Sequence, residues 1–140
     1  MAIPSVRHKT LGKAIRACLT GDVSLCEQVF TADVVCTSPT MAASSRDELE
    51  TRLSGRADAL SGIELTIDRI VEVQDLAIAE WHVAAQRDRP FVIAEDTALD
   101  SSGQQLVLVG ATSADFAGTR ICAIRHYFDK AALLDQLRSS

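Results

Sequence analysis

Glu80 and His82 are the two side chains of this sequence best spaced for acid–base chemistry. They stand two residues apart in the stretch Ala79-Glu80-Trp81-His82, and in an extended strand residues i and i+2 share a face. A carboxylate beside an imidazole can serve as base and orienter of a proton transfer when an apolar setting moves a pKa toward the working range. If that face is turned to water or to another subunit, both are solvated polar groups instead. The same arithmetic near the end of the chain puts Arg125 and Tyr127 on one face and His126 and Phe128 on the other. The neighbours on the His126 side, Cys122 and Ile124, are the more apolar, which makes His126 a candidate interior group, either a catalytic imidazole or a hydrogen-bonded core histidine. The catalytic candidates are therefore His126, Glu80 and His82. Trp81, Phe116, Arg125 and Tyr127 are the candidate ligand contacts, with the two apolar rings as walls.

Other reactive residue types are less suggestively placed. Cys18, Cys26, Cys36 and Cys122 lack the close pairs of zinc or redox motifs. Cys18 and Cys26 bracket a Gly-Asp turn, and all four read as reduced, mostly buried small side chains. Asp33 and Asp129 read as caps, and Glu95-Asp96 are adjacent acids that could sit at a pocket mouth. No phosphate loop or nucleophilic triad is present. The expectation is no metal and no cofactor.

Composition narrows the classes. At 140 residues, with 47% hydrophobic and 24% charged residues, the chain suits one globular domain over 1–140. Only 4% are aromatic, so each of the few large rings must cover much of a core built from Ala, Val, Leu and Ile. Fourteen Lys and Arg against nineteen Asp and Glu give a net charge of −5, with no basic cluster to neutralise phosphates, which argues against a nucleic-acid partner. The start Met1-Ala2-Ile3-Pro4-Ser5 lacks a signal-peptide pattern, and the apolar runs are short of a membrane span. A cytoplasmic location with no membrane partner is expected.

The elements that must position these groups are marked by period and punctuation. Leu11, Ala14, Ile15, Cys18 and Leu19 form the stripe of an amphipathic helix that ends at Gly21-Asp22. Asp22 can cap a second, short helix carrying Leu25, Val29 and Phe30. Val34 to Ser38 reads as a short strand. Ser45-Arg46-Asp47-Glu48 is a capping box opening a helix with Leu49, Leu53, Ala57 and Leu60 on one face, closing at Gly62. Alternation follows: Ile63, Leu65 and Ile67, then Ile70 one residue out of phase, a slip at Asp68-Arg69 that marks a β-bulge. Gln74-Asp75 turns the chain into a strand from Leu76 to Arg87. Residues 91–99 give mixed signals, irregular or a short strand. Gln104 to Phe116 is a long strand, Ala117-Gly118-Thr119 a hairpin turn and Arg120 to Phe128 the return. Asp129 caps a last helix carrying Leu133, Leu134 and Leu137. Strands in hairpin succession imply an antiparallel sheet.

This order of elements resembles the nuclear transport factor 2-like superfamily. Phe30-Thr31-Ala32-Asp33-Val34-Val35 looks like its entry into the first strand, and Ala79-Glu80-Trp81-His82 like the tryptophan-bearing strand of its SnoaL-like branch. Arg120-Ile121, then Arg125-His126-Tyr127-Phe128-Asp129 and Leu133-Leu134-Asp135-Gln136-Leu137, are similar to that branch's closing strand and helix. The resemblance implies an α+β fold: a cone-shaped, strongly curved antiparallel sheet, a cystatin-like roll, with the N-terminal helices packed on its concave side. It also implies a small apolar molecule in the cavity and a homodimer across the outer face. Relatives include polyketide ester cyclases, ketosteroid isomerase and limonene epoxide hydrolase. The similar cyclases carry Thr-His-x-Gly where this chain has Ala85-Gln86-Arg87-Asp88, and a catalytic Asp where it has Gln105-Leu106-Val107-Leu108. A domain that binds a small hydrophobic ligand is thus expected. The alternative is a cyclase- or isomerase-type enzyme that abstracts a proton next to a carbonyl.

Overall fold

A computed structural model describes residues 5–55, 60–87, 91–94, 97–99 and 105–138. Its first helix, α1 (Val6–Thr20), buries the predicted stripe of Leu11, Ala14, Ile15 and Cys18. Ser5 Oγ accepts from the His8 amide at the start, and Gly21 ends the helix at φ 75°, a left-handed turn that glycine enters without a Cβ clash. Asp22 then caps a single 3-10 turn, Val23–Leu25, that leads into α2 (Cys26–Val29). The hydrogen bonds from the Ser24 hydroxyl and amide hold the Asp22 carboxyl below its usual pKa.

Strand β1 (Phe30–Thr37) begins four residues before the Val34 expected from the pattern, because its pairing with the last strand reaches back to Phe30 opposite Ile121. A two-residue strand, β2 (Ala42–Ala43), pairs with its end. Helix α3 (Arg46–Ser54) follows, capped as expected by Ser45 Oγ on the Glu48 amide at 3.1 Å. Only half of the capping box forms: the Glu48 carboxylate accepts from the Ser44 hydroxyl and faces Arg52 instead of reaching back. The helix is also shorter than expected. Leu60 and Gly62 already lie in β3 (Leu60–Val73), where an antiparallel partner supplies the pairs Leu60–Arg87 and Ser61–Gln86; Ala57 lies outside the described residues.

The long strands are β3, β4 (Leu76–Arg87), β7 (Gln105–Ala117) and β8 (Arg120–Phe128). They lie in an open six-stranded sheet of order β2-β1-β8-β7-β4-β3. The pairs β3–β4, β4–β7 and β7–β8 are antiparallel as expected, whereas β1 lies parallel to β8. The sheet is therefore mixed, a correction that hairpin reasoning could not supply: β1 reaches β8 across the whole chain. The bulge expected at Asp68 is present, the register stepping from Ile67–Trp81 to Arg69–Glu80. A further bulge sets Cys122 between the pairs Asp115–Ala123 and Phe116–Ile121. Residues left open by the sequence form a hairpin of β5 (Phe91–Ala94) and β6 (Thr97–Leu99); Glu95-Asp96 and the break at Asp88-Arg89-Pro90 lie outside the described residues.

Helices α1, α2 and α3 meet the sheet over a core of Leu11, Ile15, Phe30, Val34, Leu49, Leu53, Trp81, Ile121 and Ile124, all fully or almost fully buried. Arg7 of α1 ties down the hairpin ends. Its guanidinium donates to the carbonyls of Gln74 (2.9 Å) and Gly118 (3.0 Å), pairs with Asp75 at 3.0 Å and stacks 5.1 Å over Phe116. Gln74 sits at φ 55°, a left-handed conformation costly for a side chain, at the carbonyl that Arg7 holds. At the other end β8 stops opposite Gly110, leaving that edge of β7 unpaired. Helix α4 (Lys130–Arg138), capped by Asp129, covers it: the Gln136 amide donates to the Val107 carbonyl (2.6 Å) and accepts from its N–H (2.8 Å).

Two stability outcomes follow from these contacts. Arg7→Ala should lower unfolding free energy by roughly 1–2 kcal/mol in urea titration, and Arg7→Lys should recover only part of it because an ammonium cannot serve both carbonyls as a fork. Gly110→Ala should cost about 1–3 kcal/mol by overpacking, although alanine ordinarily stabilises a strand relative to glycine. A Cβ there would lie 2.6 Å from Cη2 of Trp81 and 2.8 Å from the Tyr127 carbonyl oxygen. A more stable Gly110→Ala protein would contradict the packing described.

Candidate functional site

Among the described residues, the helix-facing side of the sheet is apolar with one polar interruption. Register and alternation place Ala79 and Trp81 of β4, Gly110, Thr112 and Ala114 of β7, and Ile124 and His126 of β8 on that side, with Cys36 beside Ile124. Among the described residues the buried polar ones are Thr10, Thr112 and His126. The last two are joined. Trp81 packs against Gly110 and donates its indole N–H to Thr112 Oγ1 at 2.9 Å, and the same oxygen is 2.8 Å from His126 Nδ1.

This chain of contacts fixes the imidazole. The indole nitrogen can only donate, so Thr112 Oγ1 accepts from it and keeps one proton and one lone pair for the histidine. With the hydroxyl proton on Nδ1, Nε2 carries hydrogen and is a donor. With the ring proton on Nδ1, Nε2 presents a lone pair. Either way His126 is 6% exposed and its Nε2 has no hydrogen-bond partner. An orphaned polar atom inside a core costs about 1–3 kcal/mol. Two thiols stand nearby: Cys18 of α1, Cys36 of β1 and a ring nitrogen of His126 lie within 4.8 Å of one another, all buried. At Cys26, burial and, secondarily, the negative charges of Glu50 and Asp22 push the thiol up to about 11. All four cysteines are unbridged.

Of the catalytic candidates, Glu80 and His82 lie on one face of the sheet and His126 on the other. Glu80 pairs with Ala111 and His82 with Val109 across β4–β7, so both point to the outer face, opposite His126. There Glu80 faces Arg69 at 3.5 Å with 59% of its side chain exposed, and His82 meets Asp68 at 2.8 Å. Arg125 is on the outer face too, bound to Ser113 (2.7 Å) and Asp115 (3.1 Å), as is the exposed Tyr127. Of the candidate ligand contacts, Trp81 and Phe116 face inward, Trp81 beside the His126 chain and Phe116 at the hairpin end beneath Arg7. The sequence did not single out Thr112, Gly110 or the approach of Cys18 to Cys36. Thr112 is one small residue in an alternating strand, and only the β7–β8 register, shifted by the bulge at Cys122, sets it opposite His126.

No described helix is long and apolar enough to cross a membrane. No curated protein sequence matches the chain. Several solved structures share its fold. A candidate SnoaL-like polyketide cyclase from Jannaschia sp. CCS1 aligns with a TM-score of 0.77 at 12% identity, covering 100% of this chain and 99% of that one. A candidate polyketide cyclase from Acidithiobacillus ferrooxidans gives 0.76 at 20%, covering 99% and 98%. A protein with a ketosteroid isomerase-like fold from Catenulispora acidiphila gives 0.69 at 16%, covering 97% and 94%. At such identities the likeness speaks for the fold. The SnoaL-like domain model matches residues 12–124, from the middle of α1 to the core of β8, and the chain belongs to that family.

Proposed function

We propose that this chain is a cytoplasmic ligand-binding domain whose apolar interior takes a small hydrophobic molecule bearing a carbonyl oxygen, which His126 Nε2 meets as a hydrogen-bond donor. The observation that carries this is the buried, unpartnered Nε2 on an otherwise apolar sheet face. A ligand oxygen would satisfy the orphan, and the walls would take up apolar area at about 25 cal/mol per Å². The bonds from Trp81 through Thr112 hold the ring, so little orientation entropy is lost on binding.

A second reading, proton abstraction next to that carbonyl, is favoured by the same nitrogen in its other tautomer. It would place the whole acid–base task on His126, since Glu80 and His82 are on the far face. Substituting glutamine separates the readings, because an amide can donate a hydrogen bond but cannot carry a proton back and forth.

The outer face is proposed as the contact with a second copy. Val71, Val73, Ile78, Val107, Val109 and Tyr127 are exposed there, and apolar side chains gathered on one sheet face favour cover by a partner. Unbridged cysteines accord with the cytoplasm.

Trp81 is the only tryptophan, so its emission reports on the site. In chelator-treated protein, methyl naphthyl ketone should quench it, and ethylnaphthalene, which lacks the oxygen, should bind at least about tenfold more weakly, the equivalent of one hydrogen bond. His126→Leu should erase that difference; equal binding of both probes by the native protein would refute the ligand reading. If the domain is an enzyme, His126→Gln should lower turnover of a ketone substrate roughly 100- to 10,000-fold while leaving its affinity within a few-fold. For assembly, sedimentation at micromolar concentration should show a dimer that Val109→Glu converts to monomer. A native monomer would remove the outer-face proposal.

A further inference from the structure

The geometry points to a zinc-type metal site made by Cys18, Cys36 and His126, an ion-binding function that neither the cysteine spacing nor the ligand reading above predicts. Three observations combine. The two sulfurs and a ring nitrogen already lie within 4.8 Å of one another, although they come from α1, β1 and β8. A tetrahedral ion with Zn–S near 2.3 Å and Zn–N near 2.0–2.1 Å needs donor separations of about 3.6–3.8 Å, so a contraction of roughly 1 Å closes the site. His126 Nδ1 is committed to Thr112 Oγ1, and Nε2 is the nitrogen left without a partner.

Charge and donor chemistry select the ion. Binding expels the two thiol protons to solvent, and two thiolates with a neutral imidazole cancel a divalent charge, so the loaded site is neutral. A neutral cluster suits surroundings of Ile15, Ile124 and Trp81, where a net charge would be expensive. Sulfur and imidazole donors favour zinc or copper(I) over magnesium or calcium, which take oxygen. Thr112 acts behind the ligand, accepting the Nδ1–H and so turning the Nε2 lone pair outward, the usual arrangement for a metal-bound histidine. Three protein donors leave a fourth position, as in catalytic rather than structural zinc sites. The carbonyl oxygen of a bound molecule could take it. The inference does not depend on that, because it concerns the ion alone.

The test uses the whole reduced chain, freed of metal and titrated with zinc(II) or cobalt(II). One ion per chain should bind, and cobalt(II) should give a thiolate-to-metal charge-transfer band in the near ultraviolet with strong tetrahedral bands in the visible. Cys36→Ala and His126→Gln should each weaken binding at least about 100-fold, and Cys122→Ser, outside the cluster, should leave it unchanged. Should a core substitution prevent folding, the cobalt spectrum and the zinc-induced rise in Tm of the native protein decide alone. Uptake without the thiolate band, uptake undiminished in folded Cys36→Ala, no stoichiometric uptake, or a Cys18–Cys36 disulfide in protein isolated with its thiols blocked would each overturn the site.

Discussion

Trp81 is the largest side chain sealed inside this molecule, and its indole N–H must find an acceptor there or forfeit a hydrogen bond. The acceptor is Thr112 Oγ1, directly across the strand pair from His126. Much of the interior is arranged around that bond. Gly110 must lack a side chain so that the indole can lie against the β7 backbone. β7 must register with β4 so that Thr112 falls two pairs beyond Gly110, on the same face, and β8 must register with β7 so that His126 meets the same oxygen. A slip of one residue in either ladder would turn Trp81 or His126 to the opposite face and leave a polar atom unpaired in the core.

The two faces of the sheet consequently have different chemistry. On the inner face of the sheet, among the described residues, Trp81, Thr112 and His126 are joined in series and end on a nitrogen without a hydrogen-bond partner. Outside, they are many and paired locally: Glu80 with Arg69, His82 with Asp68, Arg125 with Asp115. Those outer pairs lie at the solvent-facing surface, where such contacts are of small energetic worth. The apolar residues between them weigh more in any account of assembly, since water gains from their cover.

Fixation at the two ends of the sheet complements this middle. Arg7 gathers both hairpin turns under α1, while Gln136 fills the unpaired edge of β7 beyond the end of β8. Each device satisfies backbone groups that strand pairing leaves over, and each draws on a residue far away in sequence. Between them the site is built on strands, whose positions are more closely fixed than those of loops.

The sequence by itself determined what local physics controls. The stripe of α1, the Ser45 cap, the bulge at Asp68, the turn at Gln74-Asp75 and the Gly118 hairpin were legible because period and backbone preference act over a few residues. Alternation also showed that Glu80 and His82 share a face, and that His126 and Tyr127 do not. Which face is inside was not legible for β4, since Glu80 and His82 alternate with Ala79 and Trp81 and period alone has no sign. Burial of Trp81 under α1 supplied it. The parallel pairing of β1 with β8, the meeting of Thr112 with His126, and the approach of Cys18 to Cys36 were decided only in three dimensions. Those contacts span from 14 residues of chain, for Thr112 and His126, to 91, for Phe30 and Ile121, and the entropy of closing such loops is repaid by the core as a whole rather than by any local motif.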